Sequence, residues 1–422
     1  MNPLILATSL RRPGLLFKHL GQSFTGFRTI QHESSFNMKR VALVSKMTRY
    51  EFLKSTYKDL SEGELKKHLD SIRSDYESLH QLHINHYKCV DLIHRILKEH
   101  SIETRVVNRF QYNEEIVDWA DLIVTAGGDG TYLLAASKIK VKDKPIIGIN
   151  TDPKRSEGYL CLSKKQFPAE NFGEAVKRIL EGKFKWKWRH RIRVTMSGFH
   201  QNDEPVAIHD QQLLYPEYRF EEHIKEAETH FGEELEQRLH VHEMPPRILP
   251  VLALNEVFIG EALSARVSYY EIKRDEEPSM KQKSSGITIC TGTGSTSWFF
   301  HINHLPIEAV KDILGITKNL TDCDVDLTDQ TLMSEVASKF NNSLKFSADE
   351  QRMAYTVRDP IVNGVFDAIR QQRGFATRIK INSRMWDGTL VIDGDSSFHF
   401  NDGAVATLEM LESDALLTIT LD

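Results

Sequence analysis

Three short stretches carry the residue types best suited to chemistry. The first is Gly127-Gly128-Asp129-Gly130-Thr131, set between the apolar run Asp121–Ala126 and a predicted helix over 132–139. Glycines let backbone N–H groups approach a phosphate closely, and a helix start adds free donors and a positive dipole end. A carboxylate there is repelled by the same phosphate unless it has a task. It can take a proton from an attacking hydroxyl, or hold a magnesium ion that bridges phosphates. Asp129 is therefore the catalytic candidate for phosphoryl transfer to an alcohol, with Gly127, Gly128, Gly130 and Thr131 around the nucleotide. The competing reading is a plain Gly-Asp-Gly turn. Neither GxGxxG in this place nor GxxxxGKS/T anywhere is present, which disfavours a dinucleotide dehydrogenase and a P-loop enzyme.

The second stretch, Thr291-Gly292-Thr293-Gly294-Ser295-Thr296, follows the apolar run Ile287–Cys290. Its hydroxyls and backbone N–H groups suit phosphate or ribose oxygens, although a Ser/Thr-rich turn reads equally well. The third is Asn255-Glu256 on a predicted strand, Leu252–Ile259. A carboxylate facing inward without a partner is costly, so this pair points to a ligand such as an adenine edge or a ribose diol, or else to a strand end at the surface.

The elements that must position these stretches divide the chain in two. Over 40–150, short apolar runs at Arg40–Ser45, Thr104–Val107, Asp121–Ala126 and Pro145–Ile149 alternate with helical segments, one opened by a Ser61/Glu64 capping box and running to about His100. That alternation predicts an α/β domain with a parallel, doubly wound sheet, whose ligands lie beyond the carboxyl ends of the strands. From about Trp186, period-two runs predict a mainly-β domain. The expected division is a leader over 1–38, an α/β domain over 39–185 and a mainly-β domain over 186–422. The last is interrupted by inserts at 216–247 and 305–350, and its C-terminal end is free to pack back on the first domain. The run Lys183–Arg193 mixes cations and aromatics; it reads as a strand entering the second domain rather than a nucleic-acid strip. His80, His83 and His86 at helical spacing read as a solvated face, with no metal expected.

Composition narrows the partners. The 422 residues are 40% hydrophobic and 27% charged, with a net charge of −5, which argues against a general nucleic-acid binder. No apolar run reaches the roughly eighteen residues of a membrane span. The four cysteines are scattered and suit reduced thiols. Before Glu33 there is no acidic residue, while Arg11, Arg12, Lys18 and Arg28 lie among Leu, Phe, Ser and Thr, the composition of a mitochondrial transit peptide.

The order of these motifs resembles the NAD kinase family, and the mitochondrial branch of it most. The GGDGT loop is followed by Gly148-Ile149-Asn150, by Ala253-Leu-Asn-Glu-Val-Phe-Ile-Gly260, and by TGTGSTSW. The resemblance spans about residues 40–422. It implies phosphorylation of the adenosine-ribose 2′-hydroxyl of NAD to NADP in the mitochondrial matrix, with ATP as donor and Mg2+ on its phosphates or at Asp129. It implies Asp129 as proton acceptor, Asn150, Asn255 and Glu256 as nucleotide contacts, and Arg266 and Lys283 as basic contacts. The second loop through Trp298, and Asp393 in the Asp393-Gly394-Asp395 segment, complete the nucleotide site. A homodimer is implied, with no nucleic acid or membrane partner. The pattern departs at Ser285-Gly286, where the family has Asp-Gly, and at Phe300–His304. A lipid kinase of the diacylglycerol or sphingosine type shares the first loop, and a non-catalytic dinucleotide sensor is the third reading.

Overall fold

Val41 to Val44 are fully buried on both faces, as a strand inside a parallel sheet demands. In the computed structural model, which describes residues 36–214, 245–321, 324–361 and 372–421, that strand is β1 (Arg40–Ser45). It pairs in parallel with β2 (Glu103–Val107) and β3 (Leu122–Ala126), and β3 with β4 (Pro145–Ile149). One apolar layer, including Val90, Ile93, Leu97 and Val176, packs helices Tyr76–Glu99 and Phe172–Leu180 on one face of the sheet. A second layer, with Val117, Tyr132 and Ala135, covers the other face. The sheet is thus doubly wound.

Two further strands close it. Lys185–Arg189 forms β5 and pairs antiparallel with Leu416–Thr420, which itself runs parallel to β4. The cation-aromatic run of 183–193 therefore ends the first sheet instead of opening the second domain. Arg191 beyond it is wholly buried and donates to the carbonyls of Asp414, Ala136 and Ile139 at 2.6, 3.2 and 2.7 Å. The predicted strand Arg191–Val194 begins two residues later for this reason.

The remaining strands are β6 (Arg193–Gly198), β7 (Val206–Ala207), β8 (Arg247–Ile248), β9 (Glu256–Glu261), β10 (Ser268–Arg274), β11 (Met280–Ser284), β12 (Ile287–Cys290), β13 (Met353–Val357), β14 (Arg373–Ala376), β15 (Arg378–Ser383), β16 (Gly388–Ile392), β17 (Ser396–His399), β18 (Ala404–Glu409) and the C-terminal β19 (Leu416–Thr420). They make one sheet in the order β11-β10-β15-β18-β6-β8 and another in the order β14-β13-β12-β9-β16-β17-β7. Neighbouring strands in both run antiparallel, for example β9 with β12 and β16. A shared apolar core that includes Val194, Ile259, Ile289, Ile381 and Leu408 joins the two. The mainly-β reading of this half follows from that pairing.

The predicted helical stretch to His100 is two helices, Glu62–Ser71 and Tyr76–Glu99, the first carrying the Ser61/Glu64 capping box. The insert at 305–350 holds helices Ile307–Thr321 and Gln330–Ser343, which meet through Val310, Met333 and Ala337. Residues 1–35 of the leader and most of the 216–247 insert lie outside the described residues.

The candidate nucleotide site

The glycine loop is built by close approach. Gly127 follows β3, and a Cβ there would lie 2.2 Å from the Thr131 hydroxyl oxygen, so a larger residue would have to displace the Thr131 side chain. Gly128 caps the helix Asp129–Ser137 and has no side chain to block its free N–H groups. Asp129 stands in the first turn, where the helix dipole favours a carboxylate. Its two oxygens accept the backbone N–H groups of Tyr159 at 3.1 Å and Leu160 at 2.8 Å.

The segment that supplies those donors is shaped by Asn150 at the end of β4. The Asn150 side chain is buried, donates to the Ser156 carbonyl at 2.9 Å and accepts from Asp152 N–H at 3.0 Å. Gly158 takes a φ of +64° directly over it. Asn150 therefore folds the 150–160 loop back toward Asp129.

The second loop packs equally tightly. A Cβ on Gly292 would sit 1.8 Å from the Ser347 carbonyl oxygen, and one on Gly294 would sit 2.1 Å from that of Asn255. Its hydroxyls serve the loop itself. Thr291 Oγ1 donates to Leu254 O at 2.6 Å and accepts from Gly294 N–H, Ser295 donates to Gly292 O at 2.7 Å, and Thr296 donates to Thr293 O at 3.3 Å. Thr293 accepts from Arg189 at 3.3 Å. What this loop can offer a ligand is chiefly its backbone.

Against the second loop lie Asn255 and Glu256. The β16–β17 turn is an Asp-Gly hairpin turn with φ of +50° at Asp393 and +70° at Gly394. That conformation aims the Asp393 carboxylate at the backbone N–H groups of Leu254, Asn255 and Glu256, at 2.8, 2.7 and 3.0 Å. Asp393 thus fixes the start of β9. Burial pushes its carboxyl up to about 6, against the pull of the three N–H groups and Arg191. Burial, then the nearby Asp393, pushes the Glu256 carboxyl up to about 8. Glu256 Oε2 and Asn255 Oδ1 are buried with no hydrogen-bond partner among the described residues. Unpaired buried acceptors of this kind are costly unless a ligand meets them.

A cleft of about 410 Å³ runs between the end of the first sheet and the β16–β17 turn, lined by Gly128, Gly130, Thr131 and Asp393–Ser396. Its cations are residues that the sequence motifs did not mark as contacts. Lys46, directly after β1, is half-buried there, with burial lowering its ammonium pKa and Asp152 opposing the shift. Arg109 pairs with Asp210 at 2.5 Å and reaches Asp395 at 3.9 Å. His86, expected on a solvated face, is 1% exposed and bridges Ser45 Oγ at 2.9 Å and Thr151 Oγ1 at 3.0 Å. Burial first, then Lys46, holds its imidazole down at about 3, so it is neutral. His83 is likewise engaged, with Thr48 at 2.9 Å.

Arg266 is exposed in the loop after β9. Lys283 sits on β11, its ammonium 5.0 Å from the centre of the Tyr269 ring. Trp298 is 38% exposed, beside Phe258 and under Arg358 at 5.3 Å each.

Residues 26–184 match the model of the ATP-NAD kinase N-terminal domain. The human "NAD kinase 2, mitochondrial" is 43% identical over 392 residues, spanning 92% of this chain and 86% of that one. The Xenopus tropicalis protein of the same name is 43% identical over 405 residues, with 92% of each chain covered. The chain belongs to the NAD kinase family. Kinase activity and a mitochondrial location follow from these relatives, and the lipid-kinase reading is set aside. The crystal structure of a yeast NADH kinase with NADH bound superposes with a TM-score of 0.50 at 12% identity over 92% of this chain and 84% of that one, a likeness of NAD kinase fold.

Proposed function

We propose that this NAD kinase transfers the terminal phosphoryl group of ATP to the adenosine-ribose 2′-hydroxyl of NAD through the loops just described. In this reading the 2′-hydroxyl gives its proton to the Asp129 carboxylate while its oxygen bonds to the γ-phosphorus. The bond from that phosphorus to the β–γ bridging oxygen breaks, leaving ADP and NADP. The observation that supports it best is the pair of buried, unpartnered acceptors on Asn255 and Glu256, set against the second glycine loop and the Asp393 turn. Those acceptors suit the N–H and O–H groups of a nucleoside, and Asp393 and the second loop hold them in place. The non-catalytic sensor leaves Asp129 only its hydrogen bonds to the Tyr159 and Leu160 N–H groups.

Lys46 and Arg109 supply positive charge for the phosphates at the cleft. Magnesium fits here through the phosphates of ATP, since both oxygens of Asp129 and of Asp393 already accept backbone N–H groups. When bound it neutralises charge on the transferring group. Assembly as a homodimer belongs to the same proposal, as does a two-domain division whose break falls after β5 and whose last strand, β19, returns to the first domain. The functional test measures NADP formed from NAD and ATP, with NADH and a diacylglycerol dispersion as competing acceptors. Phosphorylation of the dinucleotide alone is the expected result; no NADP, or a phosphorylated lipid, overturns the reading.

A further inference from the structure

Outside the nucleotide cleft, among the described residues, three potential metal ligands converge: His200, Asp203 and His399, with ligand atoms all within 4.8 Å of one another. His399 ends β17, while the other two lie in the turn between β6 and β7, so a chain separation of 196 residues is closed at this point. Asp203 Oδ2 meets His200 Nδ1 at 2.7 Å and His399 Nδ1 at 3.1 Å. The imidazole rings stand 5.2 Å apart between centroids. His200 keeps a φ of +63°, a conformation that a β-carbon disfavours, to turn its ring inward.

We propose that these three side chains bind one zinc-class divalent cation. Two imidazole nitrogens and one carboxylate oxygen are the donor set that zinc prefers over magnesium, which takes oxygen ligands. Zinc bonds of about 2.0–2.1 Å in a tetrahedron set ligand-to-ligand edges of about 3.3 Å. The 2.7 and 3.1 Å separations from Asp203 need open by about 0.6 and about 0.2 Å, while the two imidazole nitrogens already lie within 4.8 Å of each other. Entry of the metal displaces the protons shared between the rings and Asp203. The Asn401 amide lies 3.4 Å from His200 Nε2, a long contact that a tautomer change at His200 can release. The fourth position is left to water.

The cation would clamp the segment that leads into the cleft. Beyond Asp203 the chain forms β7, whose Val206 and Ala207 pair with Ser397 and Ser396. Ile208 N–H then bonds Asp395 O at 2.7 Å, and Asp210 pairs with Arg109. None of these three ligands is among the residues proposed for nucleotide binding, so the readout is metal uptake and not kinase activity.

The test is calorimetric titration of the full chain with Zn2+, repeated with Co2+ to read the visible band of a tetrahedral site. One ion per chain is expected, with thermal stability rising on saturation. His399→Ala and Asp203→Asn should each weaken binding at least tenfold, while His304→Ala on the surface leaves it unchanged. Asp203→Asn keeps the shape of the turn, so a folding defect in one variant leaves the other to decide. Absence of stoichiometric uptake by the wild type, or uptake unchanged in both ligand variants, overturns the proposal.

Discussion

Glu256 illustrates how a single side chain records a missing partner. Its carboxyl is held at about 8, against an ordinary value of 4.5, by burial and by Asp393. The sign follows from linkage. A raised folded-state value costs nothing below the unfolded pKa, and stability is lost progressively as pH climbs from there to about 8. Glu256→Gln should therefore flatten the fall in stability between pH 4.5 and 8, measured by urea midpoints across that window. Asp393, raised to about 6, keeps a residual slope of the same sign at the lower end. The variant should also bind NAD less tightly by about 1–3 kcal/mol, the cost of a mismatched polar contact. At this scale the motif residues were legible because a carboxylate among glycines, or an Asn-Glu pair on an apolar strand, has few structural excuses. Lys46, Arg109 and His86 were not. Nothing local tells a buried lysine, arginine or histidine from an exposed one when only the tertiary fold brings its partner.

The two glycine loops owe their shape to elements that press against them. Gly292 faces the Ser347 carbonyl oxygen with no room for a methyl group. Gly292→Ala should cost about 3 kcal/mol by overpacking, read as a lowered urea midpoint. Gly63, in the helix Glu62–Ser71, is the opposite case, since a methyl group added there would meet nothing within 4 Å. Gly63→Ala should stabilise by about 0.5–1 kcal/mol through helix propensity. Strands and helices whose period is visible, such as β1, β3 and β12, were readable from sequence alone. Asn150 was readable as a residue of interest, while its part in shaping the loop was not. Its bonds to Asp152 and Ser156 belong to a loop whose path no periodicity encodes.

For the whole molecule, the informative feature is how the first sheet is completed. Its inner strands come from 40–149, but β19, from the end of the chain, lies between β4 and β5. A strand inside a sheet hydrogen-bonds on both sides, so its loss exposes two edges and the apolar residues Leu416, Leu417 and Ile419 no longer fill the layers. Ending the chain at Ser413 should abolish cooperative unfolding of the whole protein and leave it prone to aggregation, checked by calorimetry and size-exclusion chromatography. The α/β and mainly-β halves were legible from the change of hydrophobic period near Trp186. Their interlocking was not, because an apolar pentapeptide such as Leu416–Thr420 carries no label for its partner strand. Arg191 reinforces the same tie by joining the carbonyls of Ala136 and Ile139, at the end of the Asp129 helix, to that of Asp414.

In the proposed mechanism, phosphoryl transfer depends on the carboxylate of Asp129. Asp129→Asn preserves shape and one acceptor for the Tyr159 and Leu160 N–H groups, and removes the proton acceptor. Its kcat for NADP formation and its Kd for NAD, measured on the same preparation, test the claim most directly. The predicted result is a kcat reduced at least about hundredfold, with Kd within about threefold of wild type. A variant that turns over like wild type, or one that loses activity only because NAD no longer binds, would contradict it.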